Sequence, residues 1–221
     1  MTVFAAVPVK DLANAKQRLV RALTADERRA LAGAMLEDVL DAVSAALPGA
    51  VRVVTADAQV MDLAHRHGTP CLIESANRGH TEAVALAQRE ARARGAARFL
   101  TIPGDVPCAT PAEVQTLCRT LEGHGVAFVP SVSGFGTNAA LLGPPDIMPL
   151  KFGEPSFDNH VEAARQRGLH PVVVELPGLG LDIDAPEDLG LLLERGAETR
   201  SGALLRQWGV RARLANSRQA R

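Results

Sequence analysis

The stretch Thr2-Val-Phe-Ala-Ala-Val-Pro-Val9 decides the fold, because this short apolar run is followed at once by charged residues. Apolar side chains without polar alternation are typical of a strand that is buried on both faces, as strands of parallel sheets are. Residues 10–20 form the charged connection that follows. The sequence therefore predicts a central parallel strand whose carboxyl end leads into a basic loop.

Outward from this run, strands and helices alternate along the chain. The capping pattern Thr24-Ala-Asp-Glu27 predicts the start of a long helix that ends near Leu47. Further strands are predicted at residues 50–55, 71–74, 98–102, 126–132, 138–142 and 171–176, and further helices at residues 58–67, 81–94, 111–121, 156–168 and 186–195. The alternation predicts a single α/β domain of residues 1–214, with a mostly parallel sheet and helices on both faces. Residues 215–221 are expected to form a frayed, disordered tail.

Composition excludes several classes of function. The chain has 221 residues and a formal net charge of −1, so no overall electrostatic field that attracts nucleic acid is expected. Only 3% of the residues are aromatic, so a surface on which bases stack is not expected either. Three cysteines at irregular spacing predict neither a disulfide framework nor a zinc site. The first residues lack a basic targeting segment, and no stretch resembles a membrane span, so we expect a cytoplasmic protein without a membrane partner.

Three cations follow the first strand. Lys10, Lys16 and Arg18 lie in the segment Pro8-Val-Lys-Asp-Leu-Ala-Asn-Ala-Lys-Gln-Arg18. Ligands of open α/β sheets bind outside the carboxyl ends of strands, where point charges and a guanidinium fork suit a triphosphate. The alternative is that these side chains are solvated surface charges. The segment matches neither the Gly-rich dinucleotide fingerprint nor a P-loop.

Three carboxylates are candidate metal ligands. Asp105 ends the segment Leu100-Thr-Ile-Pro-Gly-Asp105, just past a predicted strand, where a carboxylate can hold Mg²⁺ together with substrate phosphates. Asp182 and Asp184 alternate around Ile183, so in extended chain their carboxylates point the same way and call for a positive charge between them. The alternatives are helix caps: Asp105 for the helix near Pro111, and Asp184 or Ala185 for the helix at Pro186.

Two glycine-containing segments follow a similar logic. They are Gly134-Phe-Gly-Thr-Asn138 and Phe152-Gly-Glu-Pro-Ser-Phe157. Glycines allow a ligand to approach the backbone, and Ser156 stands at a predicted helix start, where free N–H groups favour an anion. The alternatives are an ordinary turn and an ordinary N-cap. His160, one helical turn after Ser156, is expected to contact an anionic ligand or, as is more usual for a single histidine on a helix, to be structural or solvated.

Taken together, these motifs resemble the phospholactate guanylyltransferase family of coenzyme F-420 biosynthesis. The matching segments are Pro8-Val-Lys with Ala15-Lys-x-Arg-Leu19, Pro103-Gly-Asp105, Gly136-Thr-Asn138, Phe152-Gly-x-x-Ser-Phe157 and Leu181-Asp-Ile-Asp-x-Pro-Glu-Asp-Leu189. The resemblance extends from about Val3 to Leu191. It implies a single-domain, Rossmann-like fold similar to that of the molybdopterin-cofactor nucleotidyltransferases.

The resemblance also implies substrates, a cofactor and site residues. GTP would donate GMP to the phosphate of a small phosphorylated acid, with one or two Mg²⁺ ions bound and pyrophosphate released. The catalytic residues implied are Asp105, Asp182, Asp184, Lys16 and Arg18, and the three aspartates are also the implied metal ligands. The implied nucleotide contacts are Pro8, Val9, Lys10, Lys16, Arg18, Gly79 and Asp105, and the implied acceptor contacts are Thr137, Gly153 and Ser156.

The chain departs from the family pattern at two segments beside the implied site. Gly79-His-Thr-Glu-Ala83 stands where many members have Gly-Leu-Asn-x-Ala, and Val106-Pro-Cys108 stands where Leu-Pro-Leu is usual. Thr81, Glu82 and Cys108 are more polar than the usual residues, so we expect 3-phospho-D-glycerate as acceptor, with 2-phospho-L-lactate and phosphoenolpyruvate as alternatives. A metal-dependent glycosyltransferase of similar fold and a non-catalytic nucleotide-binding regulatory domain are the rival functions. Both a monomer and a homodimer are compatible with the sequence.

Overall fold

The strand expected first lies at the centre of a single sheet. The computed structural model describes residues 2–13 and 15–219, together with the side chains of these residues up to position 216. Within this part of the chain the sheet has seven strands. They are β1 (Val3–Pro8), β2 (Val51–Thr55), β3 (Cys71–Ile73), β4 (Arg98–Thr101), β5 (Gly125–Pro130), β6 (Thr137–Gly143) and β7 (Val172–Val173), in the order β3-β2-β1-β4-β6-β5-β7.

The sheet is parallel except for one strand. β1 pairs in parallel with β2 and β4, β2 with β3, and β5 with β7. β6 runs antiparallel to both of its neighbours, β4 and β5. The expected mostly parallel sheet is confirmed. Because β6 runs the opposite way, its first residues lie at the edge where the parallel strands end.

A short turn of residues 131–136 connects β5 to β6. The Ser131 N–H donates to the Gly136 carbonyl at 2.8 Å, and the Ser131 hydroxyl accepts the Gly136 N–H at 2.9 Å. These two bonds close the turn and fix where β6 begins. The first two residues of β6, Thr137 and Asn138, therefore have a defined register at the sheet edge.

Helices cover both faces, as expected. They are α1 (Ala25–Ala46), α2 (Ala58–Arg66), α3 (His80–Ala93), α4 (Pro111–Arg119), α5 (Ser156–Arg165), α6 (Pro186–Arg195), α7 (Arg200–Gln207) and α8 (Val210–Gln219). Side chains of β1 alternate between the two layers: Ala5 and Val7 pack with α1, α2 and α4, whereas Phe4 and Ala6 pack with α3 and α5. A third apolar cluster joins α1 to α6, α7 and α8.

The capping pattern at the start of α1 is confirmed. Thr24 Oγ1 accepts the N–H of Glu27 at 3.2 Å, and a Glu27 carboxylate oxygen accepts the N–H of Thr24 at 2.8 Å. The C-terminal end differs from expectation. Instead of fraying from Ala215, the chain continues in α8 as far as Gln219, whereas residues 220–221 lie outside the described part. None of the described helices combines the length and the apolar character that crossing a membrane requires.

Candidate active site

A cavity of about 480 Å³ opens at the carboxyl edge of the sheet, between the basic loop and the segment after β4. Six of the seven residues assigned to the nucleotide line this cavity, namely Pro8, Val9, Lys10, Lys16, Arg18 and Asp105, and Asp184, an implied metal ligand, lines it too. Gly79 does not line it, but the next residue, His80, does. The loop and the carboxylates thus meet in one concave site, as their positions after strands predicted.

Lys16 lies between two of the predicted metal ligands. Its Nζ donates to Asp105 Oδ2 at 2.6 Å and to Asp184 Oδ1 at 2.8 Å, and its side chain is only 8% exposed. Burial lowers the pKa of Lys16, but the charges and hydrogen bonds of the two aspartates outweigh it and hold the pKa above its usual value. Burial likewise raises the pKa of Asp105, and the ammonium outweighs it, so this pKa lies below its usual value. The Lys16 ammonium is therefore the positive charge that compensates Asp105 and Asp184.

The backbone of the basic loop turns sharply at this lysine. Lys16 has φ 57° and ψ 42°, in the left-handed region, immediately before a short 3₁₀ helix, Gln17–Leu19. Side chains with a Cβ rarely adopt this conformation, which is typical of tight turns and functional sites. Arg18, two residues on, is exposed at the same cavity. One loop therefore holds a buried cation and an exposed one a few residues apart.

Neither Asp105 nor Asp184 caps a helix, so both side chains are free to form the site. Thr110 caps α4 by accepting the N–H of Glu113 at 3.2 Å. Asp188 reaches back to accept the N–H groups of Asp184 and Ala185 at 2.9 and 2.7 Å. Asp105 and Asp184 are thus not helix caps, because Thr110 is the N-cap of α4 and Ala185 is the N-cap of α6.

Local packing places Asp105 beside the basic loop. A Cβ added at Gly104 would lie 3.0 Å from Val9 Cγ2, so a larger residue would push the two segments apart. The carbonyl of Asp105 also accepts the N–H of Ile183 at 3.1 Å. This bond joins the segment after β4 to the segment before α6, and so brings Asp105 and Asp184 to the same lysine.

Asp182 lies on the other side of this group. Its Oδ1 accepts a hydrogen bond from Asn138 Nδ2 at 3.0 Å, and the same amide donates to the Gly180 carbonyl at 2.9 Å. Burial raises the pKa of Asp182, and the nearby charges of Asp105 and Asp184 raise it further, although the Asn138 bond opposes them. Among the side chains that the structure describes, Asp182 has no cation as an ion-pair partner, whereas Lys16 pairs with Asp105 and Asp184.

The donor set fits a divalent cation in its chemistry. It offers carboxylate oxygens, which Mg²⁺ prefers. Burial and the two neighbouring carboxylates raise the pKa of Asp182, and a bound cation would stabilise its charged form. Among the described residues, however, no group of three or more His, Cys, Asp or Glu side chains is arranged to hold a metal ion. Lys16 fills the space between Asp105 and Asp184, and Asp182 faces Asn138.

The residues assigned to the acceptor form a second cluster at the start of β6. The Thr137 N–H donates to Ser156 Oγ at 3.0 Å, and Thr137 Oγ1 lies 2.9 Å from Nδ1 of His160. Ser156 and Thr137 are 4% and 6% exposed. Ser156 is the first residue of α5 and its hydroxyl is bonded to β6, so the N-cap alternative for Ser156 is wrong.

His160 is a buried, neutral member of this cluster. The N–H of Lys151 donates to His160 Nε2 at 2.9 Å, so Nε2 is an acceptor and Nδ1 carries the proton that is donated to Thr137. Burial lowers the pKa of His160 to about 4, and the neighbouring His80 lowers it too. Since Thr137 Oγ1 accepts from His160, its own hydroxyl proton is available for an anion.

Phe152 connects the two clusters. Its ring makes edge contacts with His80 and with His160, at centroid distances of 4.3 and 5.0 Å. His80 lines the cavity, and burial lowers its pKa to about 4 even though Asp105 opposes this shift. Gly153, the third assigned acceptor contact, follows Phe152 with φ 124°, a conformation that favours glycine. The cavity and the Thr137 cluster are thus neighbours, separated by one aromatic ring.

Proteins of known structure share the fold. A putative nucleotide-diphospho-sugar transferase from Desulfovibrio desulfuricans superposes with a TM-score of 0.80 at 18% sequence identity, over 98% of each chain. A nucleotidyl transferase from Methanothermobacter superposes with a TM-score of 0.64 at 18% identity, over 93% of this chain and 99% of that one. The expected Rossmann-like nucleotidyltransferase fold is confirmed.

A profile of the family described as Guanylyl transferase CofC like matches residues 3–221. The chain belongs to this family. Curated relatives include the phosphoenolpyruvate guanylyltransferase of Sphaerobacter thermophilus, which is 40% identical over 190 residues, covering 86% of this chain and 91% of that protein. The 2-phospho-L-lactate guanylyltransferase of Methanothermobacter thermautotrophicus is 34% identical over 207 residues, covering 94% and 91%. The resemblance inferred from five motifs is confirmed, and with it the expected nucleotidyltransferase class.

Two side chains of this CofC-like chain were not given roles by sequence reasoning. Asn138 belongs to a quoted motif, but its contact with Asp182 depends on the antiparallel direction of β6. His160 was left between ligand contact and structural role, and it is bonded to Thr137. The one sequence signal for the contact of His160 with Thr137 is its position, one helical turn after Ser156.

In the two segments that depart from the family pattern, Thr81 and Cys108 are engaged in local contacts. The Thr81 hydroxyl accepts the Phe152 N–H at 2.9 Å and donates to the Phe152 carbonyl at 3.4 Å. Cys108 packs against the apolar cluster of α1, α6, α7 and α8. Glu82 is exposed in the first turn of α3. Thr81 and Cys108 are thus engaged within the fold, and the expectation of 3-phospho-D-glycerate as acceptor stays a prediction.

Proposed function

We propose that this chain transfers GMP from GTP to the phosphate of phosphoenolpyruvate, releasing pyrophosphate, as a step of coenzyme F-420 biosynthesis. The observation that carries the proposal is that Lys16 and Asp105 belong both to the cation-lined cavity and to the carboxylate group. A site for a metal-bound triphosphate needs both features in contact. The membership of the CofC-like family supports the choice of guanylyl transfer.

The acceptor is proposed from the relatives and from the buried cluster. Relatives named phosphoenolpyruvate guanylyltransferase are 40%, 39% and 38% identical, whereas a relative named 2-phospho-L-lactate guanylyltransferase is 34% identical. Phosphoenolpyruvate has no free hydroxyl, and a site built around a substrate hydroxyl would need partners for it. The Thr81 hydroxyl is already bonded to the backbone of Phe152, which agrees with an acceptor that has no free hydroxyl.

The proposed reaction is an in-line displacement at phosphorus. A phosphate oxygen of phosphoenolpyruvate attacks the α-phosphorus of GTP. The bond between the α-phosphorus and the oxygen that bridges the α- and β-phosphates breaks, and pyrophosphate leaves with that electron pair. The second pKa of a phosphate monoester is about 6, so the acceptor is an anionic nucleophile near pH 7 and needs no general base. The principal barrier is the approach of two polyanions, which Lys10, Lys16 and Arg18 at the cavity would offset.

Each group of side chains has a proposed task in this reaction. Lys10 and Arg18 bind the triphosphate, and the Thr137 hydroxyl, oriented by His160, donates to an anionic group of the acceptor. Asp105, Asp182 and Asp184 would hold one or two Mg²⁺ ions. When bound, Mg²⁺ would neutralise phosphate charge and orient the displaced group. Gly153 and Ser156 would border the acceptor.

A competition experiment tests the proposal. The purified chain is incubated with GTP, MgCl₂ and equal concentrations of phosphoenolpyruvate, 2-phospho-L-lactate and 3-phospho-D-glycerate, and the guanylylated products are identified by mass spectrometry. We expect the phosphoenolpyruvate product to dominate, with one pyrophosphate released for each product molecule. A dominant 3-phosphoglycerate or 2-phospholactate product would contradict the acceptor while leaving guanylyl transfer intact. Release of GDP in place of pyrophosphate would contradict nucleotidyl transfer itself.

A further inference from the structure

The position of Lys16 bears on how the site acquires its metal. One oxygen of Asp105 and one of Asp184 lie within 2.6 and 2.8 Å of the Lys16 ammonium. A divalent ion held by the same two carboxylates would place a second positive charge beside a buried ammonium that is 8% exposed. Like charges in a buried site repel strongly. The Lys16 ammonium in this position therefore opposes the binding of a metal ion to the same two carboxylates.

The basic loop offers a route out of this arrangement. Lys16 adopts the left-handed conformation, the one non-glycine residue to do so in the described part of the chain. That conformation costs energy for a side chain with a Cβ, and contacts that over-determine it must hold it in place. The two carboxylate bonds are such contacts. Loss of these bonds therefore frees the side chain of Lys16 and removes two of the contacts that hold its conformation.

Phosphate groups would give the ammonium a new partner. Lys16 lines the same cavity as Lys10 and Arg18, which are exposed. A triphosphate bound there would attract Lys16 away from Asp105 and Asp184, and the vacated carboxylates would in turn attract a divalent ion. A metal ion arriving alone has to break two ion pairs and offers the ammonium nothing in return.

We propose that Lys16 is a built-in counter-ion that keeps free divalent metal out of the site and is exchanged for the metal when the phosphates of the nucleotide arrive. This inference rests on the proposed function, because it takes the metal-bound nucleotide as the ligand. It makes metal and nucleotide binding mutually dependent, since each ligand favours the arrangement that the other needs. The site is then assembled only when the donor substrate is present.

Direct metal binding without nucleotide tests this exchange. The affinity of the metal-free, full-length chain for Mn²⁺ alone is measured by calorimetry and by electron paramagnetic resonance. We expect Lys16→Met and Lys16→Gly to bind Mn²⁺ about 5- to 150-fold more tightly than the wild type, the usual range for such coupling. Two substitutions are used because methionine keeps the volume of the buried side chain, whereas glycine suits the left-handed backbone.

Lys10→Met is the matched control. It removes the same charge from the same loop and cavity, but not from between the carboxylates. We expect a much smaller gain in Mn²⁺ affinity for this variant. The inference is overturned by folded Lys16 variants, verified by circular dichroism, that bind Mn²⁺ no more tightly than the wild type. An equal gain in Lys10→Met also overturns it, because general loss of charge would then be the cause.

The two proposals can fail separately. Pyrophosphate release from GTP and phosphoenolpyruvate is measured on the same wild-type preparation. Turnover by the wild type without a gain in Mn²⁺ affinity in the Lys16 variants rejects the exchange alone. A gain in Mn²⁺ affinity in the variants without turnover by the wild type rejects the proposed function alone.

Discussion

Asp182 is a partly buried side chain whose charge is poorly compensated. Burial and two neighbouring carboxylates raise its pKa, and Asn138 is its hydrogen-bond donor among the described side chains. A buried charge that lacks a cation lowers the stability of a fold. Such a residue persists where it is needed for binding or catalysis, which is why stability and activity are expected to respond in opposite directions to its removal.

Asp182→Asn should therefore reduce kcat by about 100-fold or more, the usual cost of removing a group that stabilises developing charge. The same substitution should leave the thermal midpoint of unfolding unchanged or raise it, because the amide removes a buried charge. Pyrophosphate release and thermal unfolding of the same preparations provide the two measurements. The control is Asp146→Asn, the same chemical change in a half-exposed surface ion pair with Arg92. A normal kcat for Asp182→Asn would exclude Asp182 from metal binding.

Arg18 tests the nucleotide half of the site. Its exposed guanidinium lines the cavity, and charge-assisted bonds to phosphate contribute about 1.5–3 kcal/mol. Arg18→Ala should therefore lower kcat/KM for GTP by about 10- to 150-fold and change the KM for the acceptor much less. Arg21→Ala is the control, because Arg21 is exposed nearby but does not line the cavity. Equal kinetic constants for the two variants would show that Arg18 is a solvated surface charge and does not bind GTP.

The sequence predicted which residues belong to the site better than it predicted which side chains contact one another there. Strand ends placed Lys16 and Asp105 at one edge, because parallel strands end together, whereas Asp184 was assigned from its alternation with Asp182. It could not place the Lys16 ammonium between the two aspartates, because this contact spans 89 and 168 residues and depends on a left-handed turn. A single side chain with positive φ leaves no local signal in a loop of mixed residues.

At the scale of elements, α7 depends on a residue of α1. Asp38 of α1 accepts the N–H groups of Arg200 and Ser201 at 2.8 and 3.0 Å and the Ser201 hydroxyl at 2.7 Å. Its carboxylate is 5% exposed, so these donors have no ready access to water. A carboxylate at a helix N-terminus also interacts favourably with the helix dipole. Asp38 is thus a capping residue supplied by another helix.

Asp38→Ala should lower the free energy of unfolding by about 2–3 kcal/mol, because it removes a cap and leaves buried donors without partners. Asp41→Ala is the matched control on the same helix. Asp41 is 49% exposed and pairs with Arg200 and His67, so its loss should cost less than about 1 kcal/mol. Urea unfolding of both variants provides the measurement. Equal losses would show that the surface pair, and not the buried cap, holds α7.

This dependence explains why some elements were predicted and others were not. The first helix and the helix at Pro186 have local start signals in Thr24-Ala-Asp-Glu27 and Pro186, and both begin where expected. α7 was missed because its N-terminus is completed partly by Asp38, 162 residues away. The direction of β6 was missed for a related reason: strand pattern indicates burial, whereas direction is decided by pairing with β4 and β5.

At the scale of the whole molecule, two buried histidines link stability to pH. Burial lowers the pKa of His80 and of His160 to about 4, whereas unfolded histidine titrates near 6.5. Above pH 6.5 both states are neutral at these positions and the contribution to stability is complete. As pH falls from 6.5 toward 4 the unfolded chain takes up protons that the folded chain does not, so stability is lost.

The free energy of unfolding should therefore decrease on acidification from pH 6.5 to pH 5, by up to about 1.4 kcal/mol per pH unit for each histidine. His160→Asn removes one of the two groups and should have a shallower decrease, whatever its stability at pH 7.5. Urea unfolding at pH 7.5, 6.5, 5.8 and 5.0 compares the slopes. Parallel slopes for the wild type and the variant would show that His160 does not take part in this acid sensitivity.

The turn between β5 and β6 imposes a parity rule on insertions. Thr137 and Asn138 are consecutive, and their side chains serve opposite faces of the sheet, one bonded to His160 and the other to Asp182. Successive residues of a strand alternate in direction, so a shift of one position exchanges the two faces. Adding one residue within 131–136 would present each side chain to the wrong half of the site, whereas two would restore the orientation. The length of this loop is thereby constrained, as is its residue Ser131, whose hydroxyl closes the turn.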